Sequence, residues 1–166
     1  GRGDPGTESL LHDGAARRLQ RALHLNPNSS FARGYLGVAL AFTGDRDAAI
    51  RHSDEAIRLS PRDPLLVIWY TTIGWARLSA EDYEQAIDAA RQAIDCNPEF
   101  VDGYVVMAAA SGLAGRLSDA RPALEGLISR MPGLTLTDER LQRPFKKNVD
   151  QQRVIAGLRV AGLPES

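Results

Sequence analysis

Four prolines stand at nearly equal intervals along the chain, each at the end of a helical apolar pattern. Pro27 to Pro61 spans 34 residues, Pro61 to Pro98 spans 37 and Pro98 to Pro132 spans 34. Proline has no amide hydrogen and fixes its own φ, so it stops a helix where it falls. The small or apolar residues ahead of each proline recur as well: Ala15, Leu19 and Ala22; Ala49, Ser53 and Ala56; Ala86, Ala90 and Ala93; Ala120, Leu124 and Leu127. Each set lies on one face of a helix. A fixed period of this length is the mark of a stacked repeat, in which each unit buries its apolar face only against its neighbours.

Residues 29–61 form the most complete unit, with a helical pattern on either side of Gly44-Asp45 and a stop at Pro61. A helix, a tight turn and a second helix of this length resemble the tetratricopeptide repeat. The resemblance rests on the Leu36-Gly37 pair, the packing alanines Ala49 and Ala56, and Pro61; Arg33 and Ser53 stand where that family usually has aromatic residues. It implies an all-α, right-handed solenoid of antiparallel helix pairs closed by a C-terminal capping helix.

The expected organisation is a terminal linker and the second helix of a partial repeat over residues 1–28, three repeats over 29–61, 62–98 and 99–132, and capping helices over 133–166. Residues 1–7 read as linker and a helix is expected over 8–25, with the Arg2-Gly3-Asp4 triplet taken as coincidence. Asn28, Ser29 or Ser30 can cap the first helix of repeat one. Asp63 can cap repeat two, with Pro64 at the first helical position. The three extra residues of that repeat are expected to lengthen its first helix, over 65–79, by almost a turn. With Ser118 or Asp119 as cap, Pro122 falls within or at the edge of the first turn of its helix. Beyond Pro132 a short helix is expected from Thr137. A final amphipathic helix should run from Asn148 or Asp150 to about Gly162, with Val154, Ile155, Leu158, Val160 and Ala161 covering repeat three. The missing Met and the half repeat at the start predict a piece of a longer protein.

The charge balance is even, with a net charge of −1, so the sequence lacks the electrostatic footprint of a nucleic-acid or membrane-surface partner. The longest apolar runs, 65–70 and 104–110, are far short of the roughly 20 residues that cross a bilayer. Cys96 is the single cysteine, which precludes an internal disulfide and fits a reducing, cytoplasmic setting. His12, His24 and His52 lack the spacing of a metal pair on a helix. Residues 112–118 have the glycines of a phosphate loop but neither its lysine nor a preceding strand. No catalytic constellation, metal site or cofactor is expected.

What remains is a surface. In the family this chain resembles, the first helix of each unit lines a concave groove. The corresponding residues are Phe31, Gly34, Val38, Ala41 and Phe42 in unit one; Leu65, Ile68, Thr72 and Trp75 in unit two; Asp102, Val105, Ala109 and Gly112 in unit three. The expected partner is a protein or peptide segment, from another protein, from the chain itself or from a second copy. Phe42 and Trp75 are the expected anchors, whereas Trp69 reads as core. The lysine, asparagine and arginine by which some family members clamp chaperone tails are replaced by Gly34, Val38 and Ile68.

The phrases over 21–27 (RALHLNP), 59–64 (LSPRDP), 83–87 (YEQAI) and 157–166 (GLRVAGLPES) resemble the C-terminal repeat region of bacterial, notably alphaproteobacterial, class III adenylate cyclases. That resemblance implies a regulatory scaffold attached to a separate cyclase domain, none of whose catalytic residues lie in this sequence. Similar regions follow the winged-helix domains of bacterial transcription regulators, and free-standing adaptors are also built this way.

Overall fold

The computed structural model describes the backbone of residues 5–166 and the side chains of residues 13–166. Its helices are α1 (Pro5–Leu25), α2 (Ser30–Thr43), α3 (Arg46–Leu59), α4 (Leu66–Ser79), α5 (Tyr83–Cys96), α6 (Val101–Leu113), α7 (Leu117–Arg130) and α8 (Asn148–Ala161), with one 3₁₀ turn at Glu139–Leu141. No strand occurs among the described residues. The pairs α2/α3, α4/α5 and α6/α7 stack in chain order, and α2, α4 and α6 lie side by side. This is the α-solenoid that the repeat predicts.

Small residues let the helices of a pair approach. A Cβ on Gly37 would stand 2.5 Å from Ser53 Oγ and 3.0 Å from the Ala49 carbonyl oxygen. Ala49, Ala56, Ala86, Ala90, Ala93 and Ala120 are fully buried at the matching positions. The links between repeats share a local device. The side-chain oxygens of Asn26, Asp63 and Asn97 accept the backbone N–H two residues ahead, at 3.3, 2.9 and 3.0 Å, an Asx turn that spans the helix-stopping Pro27 and Pro98 and, in repeat two, Pro64 just after Pro61.

Several details differ from the sequence expectations. Residues 5–7 belong to α1 rather than to a linker, and the Arg2-Gly3-Asp4 triplet lies outside the described residues. Ser29 is the cap of α2, its hydroxyl oxygen accepting the Ala32 N–H at 3.1 Å. Helix α4 is not lengthened: at 14 residues it equals α2. The extra residues lie mainly in the link 60–65, because Asp63 turns the chain at Leu65 and leaves Pro64 before the helix rather than at its first position. Helix α7 begins at Leu117 with Arg116 as cap, so Pro122 falls in the second turn. The proline lacks the amide that would donate to the carbonyl of Ser118, an exposed residue. The helix expected from Thr137 shrinks to the 3₁₀ turn. In α8, Val154, Leu158 and Ala161 are buried and Ile155 packs on the same cluster, but Val160 is exposed.

Candidate functional site

Successive first helices present one face each. Phe31, Val38 and Phe42 fall at i, i+7 and i+11 on α2, and Ile68, Thr72 and Trp75 at i, i+4 and i+7 on α4, so each set is a stripe. The structure divides this inner face in two. At one end Phe31 is exposed and Val38 and Ile68 are half-buried; at the other Phe42 is half-buried, and Thr72, Trp75, Val105 and Ala109 are buried. Gly34 does not look into the groove. A Cβ there would sit 2.4 Å from the Trp69 ring, which is fully buried and meets Tyr35 edge-on at 5.2 Å.

The buried end is covered by the chain's own C-terminal segment. Arg143 reaches both carboxylate oxygens of Asp102, its Nε 3.2 Å from Oδ2, while its guanidinium lies over Trp75 at 5.8 Å from the ring centroid. Phe145 stands edge-on to Phe42 and to Trp75, with centroids 5.2 and 5.8 Å apart. Edge-to-face is the favoured arrangement of such rings. The Lys146 amide donates to the Phe42 carbonyl at 2.8 Å. Helix α8 then runs on past the end of α4 and packs along α6. Buried Asp150 pairs with Arg46 at 3.2 Å and with Arg153 at 3.0 Å, and Arg153 also donates to the Ser79 carbonyl and pairs with Glu81 at 2.9 Å. Gly157 lies against Ala109 and Gly112, backbone to backbone.

The sequence placed Phe42 and Trp75 on this face but did not identify Phe145 as their neighbour. The signal was there only in outline: an aromatic residue flanked by Arg143, Pro144, Lys146 and Lys147 in a stretch with no helical period.

On the opposite side, between successive second helices, lie two clefts. The larger, about 500 Å³, is lined by Asp54, Tyr70, Arg77, Asp88 and Arg91 among others, and the smaller, about 260 Å³, by Ile94, Tyr104, Met107 and Pro122 among others. They occupy equivalent places in consecutive repeats. Burial raises the Asp54 carboxyl above its ordinary range, with Arg77 opposing. Burial and the neighbouring Asp95 charge raise the thiol of Cys96, so it is protonated at neutral pH and a weak nucleophile. Among the described residues no group of three or more His, Cys, Asp or Glu is placed to hold a metal ion, and no helix is long and apolar enough to cross a membrane.

Two family models described as tetratricopeptide repeat match this chain, over residues 28–99 and 71–133. No curated protein sequence matches it. Among solved structures it is similar to MamA, with a TM-score of 0.67 and 24% identity over 90% of this chain and 86% of that one. A MamA RS-1 double mutant aligns with a TM-score of 0.64 and 15% identity over 95% and 96% of the two chains. PilW, a widely conserved type IV pilus biogenesis factor, aligns with a TM-score of 0.67 and 20% identity over 90% of this chain and 65% of its own. At these identities the likeness establishes the fold, and function has to be argued from the site. The resemblance to cyclase repeat regions finds no support in these matches. Residues 28–133 of this chain therefore match tetratricopeptide-repeat models and take up that fold.

Proposed function

We propose that the chain is a non-catalytic protein–protein interaction scaffold whose partner lies along the inner face, over Phe31, Val38 and Ile68 and toward Phe42, Thr72, Trp75, Val105 and Ala109. One observation carries this reading: the first helices form a continuous apolar strip that holds a peptide segment at one end and leaves Phe31 57% exposed at the other. Apolar strips of this kind take an amphipathic helix or an extended segment. The even charge balance favours a protein over a nucleic acid or an anionic membrane. A photo-crosslinking residue at Val38 or Ile68 should capture a partner in cells, whereas the same group at exposed Arg121 on α7 should not. Equal capture at Arg121, or none at the inner positions, contradicts the reading.

A finer proposal sets this scaffold at the C-terminus of a bacterial adenylate cyclase, in the cytoplasm, and is supported by the four phrases quoted above. The coding region upstream of Gly1 tests it. A cyclase domain with paired metal-binding aspartates is expected there, and a winged-helix domain would contradict it. On either outcome the 166 residues alone are expected to leave ATP unchanged.

A further inference from the structure

The covered end of the inner face is held unevenly. At the flanks the C-terminal segment is fixed firmly. Gln151 accepts the Arg143 N–H at 3.0 Å and donates to the Leu141 carbonyl at 3.1 Å. Asp150 joins Arg46 to Arg153, and Gly157 rests on the α6 backbone. Between these clamps residues 144–147 form a short bridge with no regular structure, entered and left through extended backbone at Gln142 (φ −68°, ψ 132°) and Lys147 (φ −100°, ψ 117°). Among the described residues the bridge touches the repeats through the Phe145 ring, the Lys146 amide, the Lys146 ammonium, which lies 3.7 Å from Asp13, and the side chain of Lys147, which lies along the backbone of Gly44. Phe145 itself is half-buried.

The notch that receives this ring is continuous with the open strip. Val38 precedes Phe42 by one turn of α2, and Ile68 and Thr72 precede Trp75 on α4, so a segment lying over Val38 and Ile68 runs into the notch without turning. The notch also specifies its occupant. Two ring faces favour an aromatic side chain presented edge-on. The Phe42 carbonyl, in the last turn of α2 where helices leave acceptors unmatched, calls for a following residue with a free N–H. Asp13 favours a basic side chain beside it.

We propose that the Phe42–Trp75 notch is an exchangeable site for the aromatic side chain of an extended, basic peptide segment, filled by Phe145 in the free protein and by a partner's aromatic residue in the complex. This rests on the inner face being the interaction surface. The resident ring competes at the high effective concentration of a tethered group, on the order of millimolar. The partner therefore binds only the fraction of molecules in which the notch is open, and its apparent affinity falls accordingly.

The probe is a labelled, end-blocked peptide of residues 142–149 (QRPFKKNV), followed by fluorescence anisotropy against the full chain. Phe145→Ala, which empties the notch, should bind it at least tenfold more tightly than the unsubstituted chain. A peptide with Ala in place of its Phe should not bind, and adding Trp75→Leu to Phe145→Ala should abolish binding. A folded Phe145→Ala chain that binds no peptide, or binds it no better than the unsubstituted chain, overturns the proposal. Should Phe145→Ala fail to fold, Phe145→Leu, which keeps bulk without a ring, is measured against the same two outcomes. Crosslinking at Val38 and Ile68 that persists when the peptide fails to bind would remove this inference and leave the scaffold reading standing.

Discussion

Glu81 carries a left-handed backbone, φ 64°, and its carboxylate lies 2.9 Å from the Arg153 guanidinium on α8. The equivalent turns of the other two repeats have glycines there, Gly44 at φ 96° and Gly115 at φ 72°. A side chain in this region costs about 1–2 kcal/mol that glycine does not, and an exposed ion pair returns about 0–1 kcal/mol. Glu81→Gly should therefore be more stable than Glu81→Ala by about 1 kcal/mol in urea unfolding, since both lose the pair and only the first relieves the backbone. An alanine variant of equal or greater stability would contradict the strain.

Gly112 and Gly157 set the distance between α6 and α8. A Cβ on Gly112 would fall 2.3 Å from the Gly157 carbonyl oxygen, and one on Gly157 would fall 2.3 Å from that of Ala109. These are backbone atoms, so the clash is relieved only by moving a helix. Either glycine changed to Ala should cost about 1–3 kcal/mol, and Gly14→Ala serves as the control, since it too lies within a helix and its added Cβ meets only the tip of Arg18 at 3.7 Å. Thermal unfolding separates them: a loss at Gly112 no greater than at Gly14 would mean that α6 and α8 do not pack this closely.

Ala49 is wholly buried where α2 and α3 meet. Ala49→Glu adds both volume and an unpaired charge, at a cost on the order of several kcal/mol. Circular dichroism should show a thermal midpoint lowered by many degrees; an unchanged midpoint would disprove the repeat register.

His52 is held below its ordinary value, near 6.5, by burial and by the charges of Arg33 and Arg51, with Asp45 opposing. The unfolded chain therefore takes up the proton at higher pH than the folded one. Stability falls as pH drops through about 6.5 and levels off below the folded value. His52→Gln should flatten that part of the stability profile from pH 7 downward, and an unaltered slope would show that His52 does not carry it.

The helix pairs were legible because their signals are local. Proline ends and the small residues Ala49, Ser53, Ala56, Ala86, Ala90 and Ala93 all act within one unit or between its two helices. The extra residues of repeat two were misplaced because an apolar run after Pro64 reads as helix, while Asp63 turns the chain at Leu65 and delays the start. Gly34 read as groove lining because periodicity gives its face but not its neighbour, the Trp69 ring. The return of the C-terminal segment was illegible for a different reason. Phe145 meets Phe42 across most of the chain, through contacts that leave no period in sequence, and a lone aromatic among Arg, Pro and Lys looks like linker.

The central claim, that one end of the inner face of the repeats is occupied by the chain's own C-terminal segment, is tested most directly by nuclear Overhauser contacts from the Phe145 ring in the free protein. Contacts to the rings of both Phe42 and Trp75, whose centroids lie 5.2 and 5.8 Å away, are the predicted result. A Phe145 ring with contacts to neither, in a chain whose repeats are folded, would contradict it.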